Sequence, residues 1–148
     1  MFKVLFVCTG NTCRSPMAQA LLTKLWAEEN RDEKIMVMSA GLFTSDDMPA
    51  SAEAIQVMQE QGIDISEHKS RQLNEEIIKQ ANLILTMTDA HRRAVIDKFP
   101  NYESLVYTLT EYMNYTGDIV DPYGRGVSAY YETAAQLKEL MAELVKML

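Results

Sequence analysis

Short apolar runs alternate along the chain with longer segments in which apolar residues recur every three or four positions. Phe2 to Val7 is almost continuously apolar, the pattern of a strand covered on both faces. Beyond a polar loop, Met17, Leu21, Leu22, Leu25 and Trp26 recur at helical spacing. Ser15-Pro16 predicts where that helix opens, with Ser15 as N-cap and Pro16 at the first helical position. Ile35 to Ser39 predicts a second strand, ending in a turn at Ala40-Gly41. Pro49-Ala50-Ser51 leads into a helix carrying Ala54, Ile55, Val57 and Met58, with Gly62 marking its end. Leu73 to Gln80 predicts a short helix, and Leu83-Ile84-Leu85 a third buried strand. Asp89 is positioned to cap a helix through Asp97, and Leu105-Val106-Tyr107 forms a short fourth strand. From Ser128 to Leu148 the positions Leu137, Leu140, Met141, Leu144 and Val145 fall on one face, which predicts a terminal amphipathic helix packed on the sheet.

Strands alternating with helices predict an α/β fold, a parallel sheet with helices on both faces. No stretch rich in Gly, Pro or Ser divides the 148 residues and no repeat is visible, so residues 1–148 are expected to form one domain. The apolar fraction of 47% and charged fraction of 24% exclude wholesale disorder. A net charge of −7 argues against a nucleic-acid partner, because phosphate contacts need clustered Lys and Arg. It leaves room for a small local anion pocket. The opening apolar run stops at Cys8-Thr9-Gly10-Asn11, short of the ~7–15 residues of an export signal core and the ~20 of a membrane span. A cytoplasmic location follows, with no membrane partner. Cys8 and Cys13, the two cysteines, are too few for a disulfide framework or a four-ligand zinc site, and in a reducing compartment both are free at rest.

In α/β sheets ligands bind where the loops gather at the carboxyl ends of the strands. The loop Cys8-Thr9-Gly10-Asn11-Thr12-Cys13-Arg14-Ser15-Pro16 lies at such a position. Gly10 and Asn11 tolerate positive φ, so the loop can curl and turn successive N–H groups inward. The following helix adds unpaired N–H donors and the positive end of its dipole. Arg14 offers a planar fork for two oxygens of a phosphate. Cys8 then lies on the floor of the cradle, in surroundings that favour its thiolate and place it for in-line attack on phosphorus. The blander alternative makes Cys8 a small apolar residue at a strand end and Arg14 a surface charge. The loop's placement between a buried strand and a helix start favours the chemistry.

Val7 to Ala20, read as V-C-T-G-N-T-C-R-S-P-M-A-Q-A, closely resembles the phosphate loop of the low-molecular-weight protein tyrosine phosphatases. Ser39-Ala40-Gly41, Ile63 to His68 with Ser70 to Leu73, and Asp121-Pro122-Tyr123 resemble family segments in the family's order, so the resemblance covers nearly the whole chain. It implies a four-stranded parallel sheet flanked by helices, with the phosphate loop between the first strand and the first helix. It also implies two-step hydrolysis of a phosphorylated protein through a phosphocysteine, without metal or cofactor. By matching position Cys8 is the nucleophile, Thr9 to Ser15 the phosphate-binding loop, and Arg14 the group that holds phosphate in the transition state. Ser15 stabilises the Cys8 thiolate. Asn11 holds the loop's strained turn, with Ser39 and His68 in its supporting network. Asp121 is the general acid; Asp118, its nearest rival, lacks the following Pro. Tyr123 is an aromatic wall for the substrate, and Cys13 traps oxidised Cys8 as a disulfide.

Within that family the sequence leans towards the bacterial protein arginine phosphatases. Thr12 stands where tyrosine-type members typically carry an aliphatic residue, and a hydroxyl there makes a more polar wall suited to a phosphoguanidino group. The runs Leu85 to Thr88, Val106 to Tyr112 and Gly117 to Pro122 lean the same way. Tyr123 is followed by Gly124-Arg125-Gly126, so one aromatic wall stands where tyrosine-type members often have two. A phosphotyrosine phosphatase is the alternative. More distant ones are an arsenate reductase, for which the chain lacks relay cysteines after Cys13, and a catalytically silent phosphate-binding module. The stripe from Leu137 to Val145 reads as core, and the ten methionines as core filler or exposed oxidation targets, rather than as an interface, and a monomer is expected.

Overall fold

The computed structural model describes residues 1–148. Four strands, β1 (Phe2–Cys8), β2 (Ile35–Gly41), β3 (Leu83–Thr86) and β4 (Val106–Thr108), alternate with six helices. These are α1 (Arg14–Glu28), α2 (Ala52–Gln59), α3 (Glu75–Ile78), α4 (Asp89–Lys98), α5 (Leu109–Tyr112) and α6 (Val127–Met147); a 3₁₀ turn spans Pro100–Leu105. The strands form one parallel sheet in the order β2-β1-β3-β4. This is the α/β architecture the pattern predicts.

β1 lies inside the sheet, which explains its unbroken apolar run. Val4 and Phe6 point into the larger core with α1, α2 and α6, whereas Leu5 and Val7 point into the core shared with α3 and α4. All four are fully buried. The predicted stripe on α6 from Leu137 to Val145 is buried, the buried face extends back to Tyr130, and the helix packs against α1. No helix is long and apolar enough to cross a membrane.

Several boundaries differ from the expectation, each for a local reason. Helix α1 starts at Arg14 with Cys13 at the N-cap and no side-chain cap bond, so Ser15 is not the cap. Its hydroxyl is committed to Cys8 and Asn11 instead. Pro16 remains within the first turn, where its missing N–H costs nothing. Strand β2 runs straight through Ala40-Gly41 rather than turning there, because Gly41 N donates to Arg71 O and Gly41 O accepts from Leu73 N, both at 2.8 Å. A Cβ on Gly41 would meet Thr9 O at 2.8 Å, so this approach requires glycine. With Leu73 N engaged, α3 begins only after Asn74, whose side chain caps it. Thr88, not Asp89, caps α4. Asp89 pairs with Arg92 at 2.9 Å. Leu105 closes the 3₁₀ turn, shifting β4 to Val106–Thr108.

Candidate active site

Cys8 ends β1 and is 2% exposed. Its Sγ lies 2.9 Å from Ser15 Oγ and accepts from Asn11 N at 3.3 Å. Asn11 Nδ2 donates to Ser15 Oγ at 2.8 Å, so the serine oxygen is an acceptor there and its hydrogen is free to point at Cys8 Sγ. Both contacts stabilise negative charge on the sulfur. Asn11 is fully buried at φ 56°, in the left-handed region that asparagine tolerates better than most side chains. Its carbonyl faces His68 Nε2 at 2.7 Å, and its Oδ1 accepts from Arg71 N at 2.9 Å. Burial pushes the His68 ring below the usual imidazole range, against the pull of the Asn11 carbonyl and with the help of Arg71.

The structure departs from the sequence reading at two points around this turn. Gly10 does not adopt positive φ; Asn11 alone bends the loop. Ser39 is outside the Asn11 network, because the alternation of β2 aims its Oγ at Gln19 Oε1 on α1, 2.6 Å away. The Arg71 backbone supplies the contact expected of it. His68 meets the Asn11 carbonyl.

The backbone N–H groups of Gly10, Thr12, Cys13, Arg14 and Ser15 have no acceptor in the protein. They belong to one loop that lines a cleft with Cys8 and leads into a 15-residue helix, an arrangement suited to an anion. Arg14 is 4% exposed and anchored by Nη1 donating to Ile119 O at 2.8 Å, with Nη2 3.6 Å from Asp121 Oδ2. The loop, Asp121 and Tyr123 wall a cleft of about 230 Å³. Thr12 lines it too, its carbonyl fixed by Ser51 N at 2.9 Å. Asp121 faces the loop with half its side chain exposed, its Oδ1 accepting from Tyr123 N at 3.1 Å. Asp118 does not line the cleft; its Oδ1 accepts from Asp89 N at 2.9 Å. No group of three or more His, Cys, Asp or Glu side chains is arranged to hold a metal ion. A larger cavity, about 930 Å³, opens beside Phe2, Trp26 and Leu148 and contains none of these groups.

Cys13 is buried, and its Sγ contacts Tyr130 Oη at 3.1 Å and Ser51 Oγ at 3.4 Å. Burial, then the Cys13 contact, pushes the Tyr130 hydroxyl far above the usual range. Both cysteines are free thiols. Ser51, Tyr130, Arg71 as a backbone donor, and His91 were not singled out from sequence. His91 Nε2 lies 2.8 Å from Thr9 Oγ1 across a separation of 82 residues. Its one local signal is a place in the first turn of a helix that begins at the carboxyl end of a strand.

A buried thiol in a loop of unpaired N–H groups, with a fixed guanidinium and a carboxyl group opposite, defines a cysteine-dependent phosphatase site. Residues 3–148 match the family described as low molecular weight phosphotyrosine protein phosphatase, and the chain belongs to that family of hydrolases. It is 39% identical over 146 residues to the protein-arginine-phosphatase of Bacillus subtilis, covering 98% of this chain and 95% of that one. The structure of a low molecular weight protein tyrosine phosphatase from T. tengcongensis is 40% identical and superposes with a TM-score of 0.95, all of each chain being covered. A YwlE arginine phosphatase structure, of a cysteine-to-serine variant with a phosphorylated active-site serine, is 38% identical with a TM-score of 0.95. It covers 99% of this chain and 95% of its own.

Proposed function

We propose that this protein phosphatase acts on phosphoarginine in proteins, with Cys8 as nucleophile and Asp121 as general acid and base. The observation that carries the mechanism is the Cys8 sulfur, held by Ser15 and Asn11 in a cleft lined by the same loop whose N–H groups are unpaired. In the first step the Cys8 thiolate attacks phosphorus and the P–N bond breaks. The Asp121 carboxyl gives its proton to the departing guanidine nitrogen, a strongly basic leaving group for which protonation matters greatly. The loop N–H groups and Arg14 hold the phosphoryl oxygens. In the second step the Asp121 carboxylate takes a proton from water, whose oxygen attacks the phosphocysteine; phosphate leaves and the thiolate returns. Asn11 and His68 hold the turn, Thr12 and Tyr123 flank the substrate group, and the hydroxyl of Thr12 favours a guanidino over a phenyl side chain. The name of the Bacillus relative supports the arginine reading. The equally similar tyrosine phosphatase keeps phosphotyrosine as the second reading.

Turnover of phosphoarginine and phosphotyrosine proteins, measured side by side, tests this. Wild type is expected to favour phosphoarginine, Thr12→Ile to move the ratio towards phosphotyrosine, and Cys8→Ser to lose at least ~10⁴-fold on both. Wild type cleaving phosphotyrosine far better would overturn the arginine reading. Every group of the site comes from one chain, which is compatible with residues 1–148 acting as a single monomeric domain, and the two free thiols suit the cytoplasm. Cys13 is the redox guard: peroxide converts Cys8 to the sulfenic acid, and the Cys13 thiol displaces water from it to form a disulfide. Mild peroxide should give a reducible Cys8–Cys13 peptide; Cys8 overoxidised with Cys13 untouched would exclude that role.

A further inference from the structure

The two loops of the cleft are both fastened to the first turn of α4. Thr88 Oγ1 accepts from His91 N at 3.0 Å and fixes the backbone of that turn. From it the His91 ring reaches Thr9, the residue that follows Cys8, with Nε2 2.8 Å from Thr9 Oγ1. The Asp89 N–H of the same turn donates to Asp118, and just before it Met87 O accepts from Ile119 N at 2.9 Å. Ile119 O in turn anchors Arg14, and Asp121 follows shortly after. One helical turn therefore holds the start of the phosphate loop on one side and the base of the acid-bearing loop on the other.

His91 is 8% exposed, and its Nδ1 is buried without a partner. The charged groups facing the ring from outside its helix are Arg14, Asp118 and Asp121, and Asp89 and Arg92 flank it on α4. Burial, then the Arg14 charge, lowers its pKa to about 4 against the opposing pull of Asp118 and Asp121, so the imidazole is neutral at pH 7. The tautomer with hydrogen on Nε2 donates to Thr9 Oγ1 and leaves a lone pair, rather than an N–H, on Nδ1 in the field of Arg14. A ring nitrogen buried without a partner is a cost to the fold that a leucine of similar bulk would avoid. What leucine could not do is hold Thr9.

We propose that His91 is a positioning residue, whose hydrogen bond to Thr9 locks the phosphate loop to the helical turn that carries the acid loop and so sets the separation of Cys8 and Asp121. This rests on the reading of Asp121 as the acid. Its test compares kcat/KM on 4-nitrophenyl phosphate, whose leaving group departs with little help, and on phenyl phosphate, whose leaving group needs the proton. His91→Leu should lose roughly 10- to 100-fold on phenyl phosphate, the scale of a misplaced catalytic group, and less than about 3-fold on 4-nitrophenyl phosphate. His91→Gln, which keeps a donor near Thr9, should recover most of the loss. His91→Met, a flexible side chain of similar length without a donor, should reproduce the discrimination even if His91→Leu folds poorly. Added to Asp121→Asn, His91→Leu should cost little more on phenyl phosphate. Equal losses on both substrates, no loss on either, or full additivity with Asp121→Asn would each overturn the role of His91. If Asp121→Asn alone fails to discriminate between the substrates, it is the reading of the acid that falls.

Discussion

The two loops that face each other across the cleft are built in opposite ways. In the phosphate loop Cys8, Asn11, Cys13, Arg14 and Ser15 are all buried, and their side chains bond to one another or to neighbouring backbone. The loop carrying Asp121 is mostly exposed between Asn114 and Val127, held by buried Ile119 and Pro122 and by a few bonds to the turn at Asp89. The difference follows from their tasks. A cradle for a tetrahedral anion must have its donors fixed before the substrate arrives, since preorganised dipoles are what stabilise the transition state. An acid that gives a proton in one step and takes one in the next needs access to water between them. Rigidity belongs on the cysteine side and exposure on the aspartate side.

The contrast predicts different failures on the two sides. Asn11→Ala, the largest, should lose about 3–4 kcal/mol of stability in chemical denaturation. It removes one buried and one part-buried hydrogen bond and places alanine at φ 56°, where ~1–2 kcal/mol of strain adds to ~1–3 kcal/mol for the groups left unpaired. Activity on every substrate should fall with it, because Ser15 loses the donor that orients its hydroxyl. A loss below about 1 kcal/mol would mean that the buried side is not rigid for the reason given. Asp121→Asn should leave stability within about 0.5 kcal/mol, as befits a half-exposed side chain. Its kcat/KM on phenyl phosphate should still fall roughly 100-fold or more, and much less on 4-nitrophenyl phosphate. A variant that instead unfolds would place Asp121 among the structural groups.

The same contrast explains what could be read from the sequence. Strands β1 and β3 are buried on both faces, so their apolar runs leave little choice of structure. Cys8 to Ser15 is one continuous segment whose groups bond locally, so its chemistry lies in a single stretch of residues, and Asp121-Pro122 carries its own marker. Adjacent candidates of equal merit were harder to separate. Thr88 and Asp89 are both good caps, and tertiary contacts decide between them. Ser15 suits an N-cap until the sulfur of Cys8 claims its hydroxyl. Contacts between distant segments left no periodic trace: Ser39 turns towards Gln19, Arg71 serves Asn11 through its backbone, and His91 meets Thr9 across the sheet's carboxyl edge.

His91 sits between the rigid side and the exposed one, and its protonation sharpens the comparison with the smallest of these effects. Its native pKa of about 4 lies below the value of 6.5 expected when unfolded. Between these values the unfolded chain binds the proton that the native ring refuses. Stability therefore falls as pH drops below 6.5, and the loss is complete once pH is below about 4. From pH 7 to pH 5, above the range where most carboxylates titrate, this single group should remove about 2 kcal/mol. His91→Gln should flatten that slope, measured as the difference between variant and wild type in denaturation at each pH. His68, also depressed, contributes in the same direction in both proteins and cancels in the difference. Equal slopes for variant and wild type would mean that the ring accepts its proton in the native state, with Asp118 and Asp121 outweighing Arg14. The turn of α4 would then join the two loops through a cation, and the phosphate cradle would gain a second positive charge at mildly acidic pH.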